Sequence, residues 1–234
     1  MGARITQEEL AQLCLRIEER GGCNINLVTG TQFAPAIVEA VTQARKAGLS
    51  IPVVWNSSGF ETLETVSLLE QCVDIYLPDV KTIDATYAEE LALPRSYPQS
   101  VAPAVEEMHR QKPLRYQDDV LRSGLIVRHL VYPELLENTK AVLTWYASTV
   151  EQGALLSVLA QFMPGDRDEE TSIPKRSLTE EEYTTVISWL DELDIEEGFV
   201  QEYEPSGEWY PDFSTRAVFP SPQFELLWHW KDRI

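Results

Sequence analysis

The chain has 234 residues, 44% of them hydrophobic, with 19 Lys and Arg against 38 Asp and Glu and a formal charge of −19. That length and apolar content suit one large domain with a buried core and argue against a disordered chain. An acidic excess of this size repels phosphate backbones, which argues against nucleic-acid binding, and no run of about 18 apolar residues marks a membrane span.

No charged-then-apolar signal segment opens the chain. The three cysteines, Cys14, Cys23 and Cys72, are odd in number and lack a secretory context, so a reducing, cytoplasmic compartment is expected. Residues Gly2 to Thr6 fit the loose myristoylation pattern. Thr6 and Glu9 also form a capping box, and Leu10, Leu13, Cys14 and Ile17 follow at helical spacing, so the helix start explains these residues better.

Gly21-Gly22 closes that helix and a strand begins at Asn24. A helix is predicted over 33–46, closed by Gly48, then a strand from Pro52 and a helix over 61–71. A strand from Val73 is followed by a long polar connection over 82–98 and a helix over 101–110. Residues 112–123 read as a polar loop or lid candidate. A strand from Leu125, a helix over 135–151 and a strand over 155–162 come next. Past an acidic loop, Thr179 and Glu182 repeat the capping signature for a helix ending at Leu193, and 198–203 is a last short strand. The stretch 205–222 is rich in Pro and aromatic residues and is expected to pack on the domain as a flap. The predicted organisation is therefore a barrel over 1–204 and an extension over 205–234. Alternating strands and helices imply a parallel α/β sheet, and about six strands against the eight of a full barrel imply a partial (β/α) barrel.

In such a barrel the C-terminal strand ends share one face, and polar residues recur there. Thr29 and Thr31 flank Gly30, which either admits a ligand close to the backbone or makes an ordinary turn. Asn56 precedes Ser57-Ser58-Gly59 and offers an amide suited to a ribose or a carboxylate, whereas the two serines read equally well as helix caps. Asp79 and Lys81 alternate onto one side, as a clamp for a zwitterionic ligand or as a structural salt bridge. Arg128-His129 interrupts an apolar strand. Buried charge is costly without a partner, so at least one of the pair should face a polar cavity, with a satisfied core histidine as the other reading of His129. Gln161 places an amide in another apolar strand. No HExxH, GxxxxGK[ST], GxSxG or paired CxxC occurs, and the three cysteines are expected to serve packing and to hold no metal.

The segments Asn24-Ile25-Asn26-Leu27-Val28-Thr29, Ile51-Pro52-Val53-Val54-Trp55-Asn56-Ser57-Ser58-Gly59-Phe60-Glu61, Val73-Asp74-Ile75-Tyr76-Leu77-Pro78-Asp79-Val80-Lys81, Arg128-His129-Leu130-Val131-Tyr132-Pro133 and Trp228-His229-Trp230 resemble radical SAM proteins of the pyruvate formate-lyase activating enzyme-like type. The resemblance runs in order from about Ile5 to the C-terminus. It implies a partial barrel that binds S-adenosylmethionine and a 4Fe–4S cluster, cleaves the former reductively, and abstracts a hydrogen atom from a substrate. In activating enzymes that substrate is a glycine of a partner protein. By similarity, Thr29 and Thr31 would lie near the methionine groups and Asn56 near the ribose or carboxylate. Asp79, Lys81, Arg128 and His129 would line the mouth, with Gln161 among the cofactor-binding residues.

The chain departs from that pattern in two places. The family's CxxxCxxC is absent, so the first strand and the cluster ligands are expected to be missing, and Gln32 stands where the family has a histidine. Two functional expectations follow. One is a radical SAM enzyme that is inactive until an N-terminal segment supplies the thiolates. The other is a cluster-less barrel that binds a small molecule or docks a partner.

Overall fold

Thr6 and Glu9 do close a reciprocal cap: the Thr6 hydroxyl accepts from Glu9 N and the Glu9 carboxylate from Thr6 N, starting α1 (Gln7–Glu19). The computed structural model describes residues 4–164 and 174–203. The extension expected over 205–234, with Trp228-His229-Trp230, and the acidic run 166–170 lie outside the described residues.

β1 (Ile25–Val28) leads through a short 3-10 turn, Thr31–Phe33, into α2 (Ala34–Lys46). β2 (Val53–Ser57), α3 (Leu63–Leu69), β3 (Ile75–Pro78), α4 (Ala85–Glu90) and α5 (Tyr97–Gln111) follow. Then come β4 (Arg115–Gln117), β5 (Val120–Leu130), α6 (Leu136–Thr149), β6 (Leu155–Leu159), α7 (Glu180–Glu192) and β7 (Gly198–Val200). The sheet runs β1-β2-β3-β5-β6-β7, all parallel, with β4 added antiparallel to β5. Among the described residues it does not close, so the architecture is the expected partial β/α barrel. Among the described residues no helix is long and apolar enough to cross a membrane.

Three sequence expectations need correction. The stretch 112–123 is a β-hairpin and not a loop: Gln117 pairs with Val120 across a two-residue turn in which Asp118 and Asp119 have φ of 51° and 60°. A hairpin turn of that kind needs two left-handed residues and is normally signalled by Asn-Gly or Asp-Gly, so Asp-Asp hid it. The polar connection over 82–98 contains α4, whose first turn is capped by the Asp84 carboxylate accepting from Thr86 N. It also contains the start of α5, where Pro98 occupies the first turn without needing a donor. α3 is shorter than 61–71, because Thr62 is its cap and Glu61 stays outside the helix.

Residues paired in a parallel ladder share a face of the sheet. Trp55, Tyr76 and Leu125 are in register on three strands and fully buried against the helices. Val127 and Val158 extend that layer. Burying side chains of this size is worth about 1.5–3 kcal/mol each, so this face holds the sheet in place. Gly30 belongs to the same packing: a Cβ there would come within 2.8 Å of Ile37 Cδ1 and 3.0 Å of Trp55. Its missing side chain makes room for the protein's own core. The opposite face carries the rows Val28, Asn56, Leu77 and Asp79, Arg128, Ser157.

The loop after β2 is held against α5. Gly59 has a φ of +71°, and a Cβ there would lie 2.7 Å from Val101 Cγ2 and 3.2 Å from Asp79 O. Gly59→Ala therefore combines backbone strain with a clash, and chemical denaturation should show a loss of about 2 kcal/mol. An unchanged unfolding free energy would mean that this loop does not pack as described.

Candidate functional site

At the C-terminal end of β3 the chain continues in extended form, and Asp79 makes an isolated parallel bridge to Arg128 on β5. The Arg128 guanidinium donates from Nε to Asp79 Oδ1 and from Nη2 to Asn56 Oδ1 at 2.8 Å. Lys81 Nζ lies 3.2 Å from the other carboxylate oxygen, Oδ2. Asn56, Asp79, Lys81 and Arg128, spread over 73 positions of sequence, thus meet in one network on the inner face. Their charges sum to one positive, two cations against one carboxylate, within a chain of net −19. The side chains of Arg128, Lys81 and Asp79 keep 24%, 26% and 30% of their surface in contact with solvent. They are half-buried, open enough to meet a ligand and shielded enough that each charge needs its partner.

Thr29 adjoins this network through its main chain, its N–H donating to Asn56 O at 2.8 Å. It is exposed and has a φ of 54°, a conformation costly for a β-branched residue and of the kind that gathers at functional sites. Thr31 is drawn elsewhere: its hydroxyl donates to Glu61 Oε1 at 3.0 Å. Trp55 Nε1 donates to the same oxygen at 3.2 Å. Glu61 is buried, and its Oε2 has no hydrogen-bond partner among the described residues. Sequence reading took this glutamate as the first residue of a helix. Its place three residues after Ser58, in a strand-end loop like the other polar residues, was the signal that could have found it. Gln161 is exposed and accepts weakly from Gln201 Nε2 at 3.5 Å, away from the Asp79 network.

His129 takes the core reading. Alternation along β5 turns it to the helix side, in register with Val158, and it is fully buried. Its Nδ1 lies 2.7 Å from Val80 O and its Nε2 3.0 Å from Thr139 Oγ1. A carbonyl can only accept, so Nδ1 carries the proton and Nε2 accepts from the hydroxyl. Burial pushes its pKa down to about 4, against a smaller upward effect of the bond to Val80.

The cysteines do not converge. Cys14 on α1 and Cys72 before β3 are buried, and Cys23 before β1 is exposed. Burial raises the Cys14 and Cys72 thiols, Cys72 to about 11, which disfavours the thiolate that a metal needs. Among the described residues no three His, Cys, Asp or Glu side chains gather as a metal site. A concavity of about 470 Å³ lies where β1 forms the edge of the sheet among the described residues, lined by Arg4, Leu10, Leu27, Val28, Phe33 and Ile37 among others, and none of the Asp79 network lines it.

No family model matches the chain. An uncharacterized protein of Methanocaldococcus jannaschii is 26% identical over 173 residues, 74% of this chain and 47% of that protein. The chain thus spans about half the length of the curated relative it matches. Among solved structures, a domain of a pyruvate-formate lyase-activating enzyme from Bacteroides vulgatus aligns with a TM-score of 0.52 at 13% identity, over 76% of this chain and 97% of that one. Streptococcus suis SuiB bound to S-adenosylmethionine aligns with a TM-score of 0.57 at 9% identity, over 85% and 42%. A radical SAM methyltransferase from Sphaerobacter thermophilus gives 0.57 at 12%, over 84% and 57%. The chain has the fold of these radical SAM proteins, as its sequence resemblance implied.

The buried imidazole has a consequence in acid. Its folded pKa of about 4 lies below the ordinary 6.5, so as pH falls through that window the unfolded chain takes up the proton first. Stability contributed by neutral His129 is complete above about 6.5 and is lost toward 4. Denaturation at a series of pH values should show wild type losing about 3 kcal/mol more than His129→Gln across this window. Parallel losses in the two proteins would contradict a buried neutral imidazole.

Proposed function

We propose that the Asn56, Asp79, Lys81 and Arg128 network is an S-adenosylmethionine-binding mouth in a protein of the radical SAM lineage. The observation that carries this reading is the Arg128 guanidinium held between Asp79 and Asn56, with Lys81 on the far side of the same carboxylate. The net positive charge suits the ligand's carboxylate, which Lys81 and Arg128 would bind. Asp79 supplies a counter-charge for an ammonium or sulfonium group, and the Asn56 amide nitrogen is a donor suited to ribose hydroxyls. Thr29, next to Asn56, would close one side of the mouth. The SAM-bound state of SuiB supports the ligand class.

S-adenosylmethionine, cleaved reductively at an iron–sulfur cluster, supplies a carbon radical for hydrogen abstraction in enzymes of this kind. The described residues do not fit such a cluster, because Cys14 and Cys72 are buried in the core, Cys23 stands exposed before β1, and no three ligating side chains gather among them. The proposal for these residues is therefore confined to binding. The SuiB complex with a precursor peptide supports a polypeptide as the class of substrate, should the thiolates come from elsewhere. The scatter of the cysteines favours a second reading, in which the mouth binds S-adenosylmethionine without cleaving it.

Calorimetric titration with S-adenosylmethionine should show binding that Arg128→Gln weakens by about tenfold or more, the range for a lost charge-assisted hydrogen bond. No binding to wild type, or equal binding to the variant, would refute the assignment. Anaerobic reconstitution of this chain with iron and sulfide should load no cluster, and a thiolate-to-iron absorption band would overturn the view of its cysteines.

A further inference from the structure

Asp79, Val80 and Lys81 continue β3 beyond its ladder, yet no backbone polar group among them is free. Asp79 N donates to Ser57 O at 2.8 Å, and Val80 N to Arg128 O at 2.9 Å. Lys81 N donates to the Tyr97 hydroxyl at 3.2 Å. The three carbonyls in succession are each taken by a side chain from a different element. The Tyr97 hydroxyl on α5 shares its proton between Asp79 O and Ser58 O, both at 2.8 Å. His129 on β5 donates to Val80 O, and Asn138 on α6 donates from Nδ2 to Lys81 O at 2.9 Å.

All three gripping residues are buried, Tyr97 to 1% exposure and His129 and Asn138 to 0%. Thr139 locks the imidazole from behind, and Phe60 stacks on the Tyr97 ring with centroids 5.6 Å apart. Buried polar groups cost free energy unless satisfied, and a core that only needed filling would use apolar residues here. Asn138 even leaves its Oδ1 without a partner among the described residues, a cost that cavity filling alone does not explain.

We propose that Tyr97, His129 and Asn138 are positioning residues: by fixing three consecutive peptide planes they aim Asp79 and Lys81 from one rigid segment toward Arg128 and the ligand. The consequence for S-adenosylmethionine rests on the proposed reading of the mouth, whereas the locking itself does not. A preorganised polar site binds without reorganising, and loss of one grip should loosen the Asp79–Arg128 pair before it loosens the core.

The test is solvent exchange of the Arg128 Nε–H followed by NMR in wild type, Tyr97→Phe, Asn138→Ala and His129→Asn, beside the backbone amides of Val127 and Val158. In Tyr97→Phe and Asn138→Ala the Arg128 Nε–H should exchange about tenfold faster while the two core amides keep their wild-type rates. His129→Asn, whose amide nitrogen can take the place of Nδ1 as donor to Val80 O, should stay within about twofold of wild type. Unchanged Nε–H exchange in both of the first two variants would overturn the proposal, as would acceleration in step with the core amides, which marks a merely structural role. Titration of the same samples with S-adenosylmethionine separates the two claims. Absence of binding to wild type refutes the ligand assignment, and the exchange rates still decide the positioning.

Discussion

The pairing of Arg128 with Asp79 joins two strands that are spatial neighbours but not successive in sequence. β3 and β5 are separated by two helices and the short strand β4, and their ladder holds at Ile75 with Gly124 and Tyr76 with Leu125 before resuming at Asp79 with Arg128. The guanidinium spans this resumption and reaches across β3 to Asn56 on β2. Three strand ends are thereby tied on the inner face, and the polar mouth follows from that tie. The apolar rows on the other face set the strands' spacing, but they do not determine where the charges point.

The two faces of the sheet divide the work. Trp55, Tyr76 and Leu125 carry burial energy, while Asn56, next to Trp55, and Asp79, three residues after Tyr76, carry polarity on the opposite side. The backbone beyond β3 is the point of contact between the two. Tyr97, His129 and Asn138 reach from the helical layer, through the main chain, to residues that face the mouth. A polar network inside an apolar layer is costly unless each group is matched, and here nearly all are.

Much of this was legible in the sequence. The alternation of strands and helices, the capping boxes at Thr6 and Thr179, and the polar residues at strand ends sufficed to expect Asn56, Asp79 and Lys81 on one face with at least one of Arg128 and His129. Strand periodicity separates Arg128 from His129, but periodicity alone does not say which of two adjacent polar residues faces the core. The partners Thr139 and Val80 O settle it, and they come from other elements. Glu61 and Tyr97 were hidden for the same reason: each acts through contacts 30 or more residues away with Thr31 or with Ser58. The hairpin at Asp118-Asp119 escaped because its turn uses residues that tolerate the left-handed region without announcing it as glycine does.

The account's central claim is that Asp79 and Arg128 act as one unit in the mouth. A double-mutant cycle with Asp79→Asn and Arg128→Gln, read as affinity for S-adenosylmethionine, tests it most directly. The account predicts that either substitution alone removes most of the effect, so that the double variant binds about as weakly as the singles. Losses that simply multiply would contradict it, since the two groups would then contribute independently.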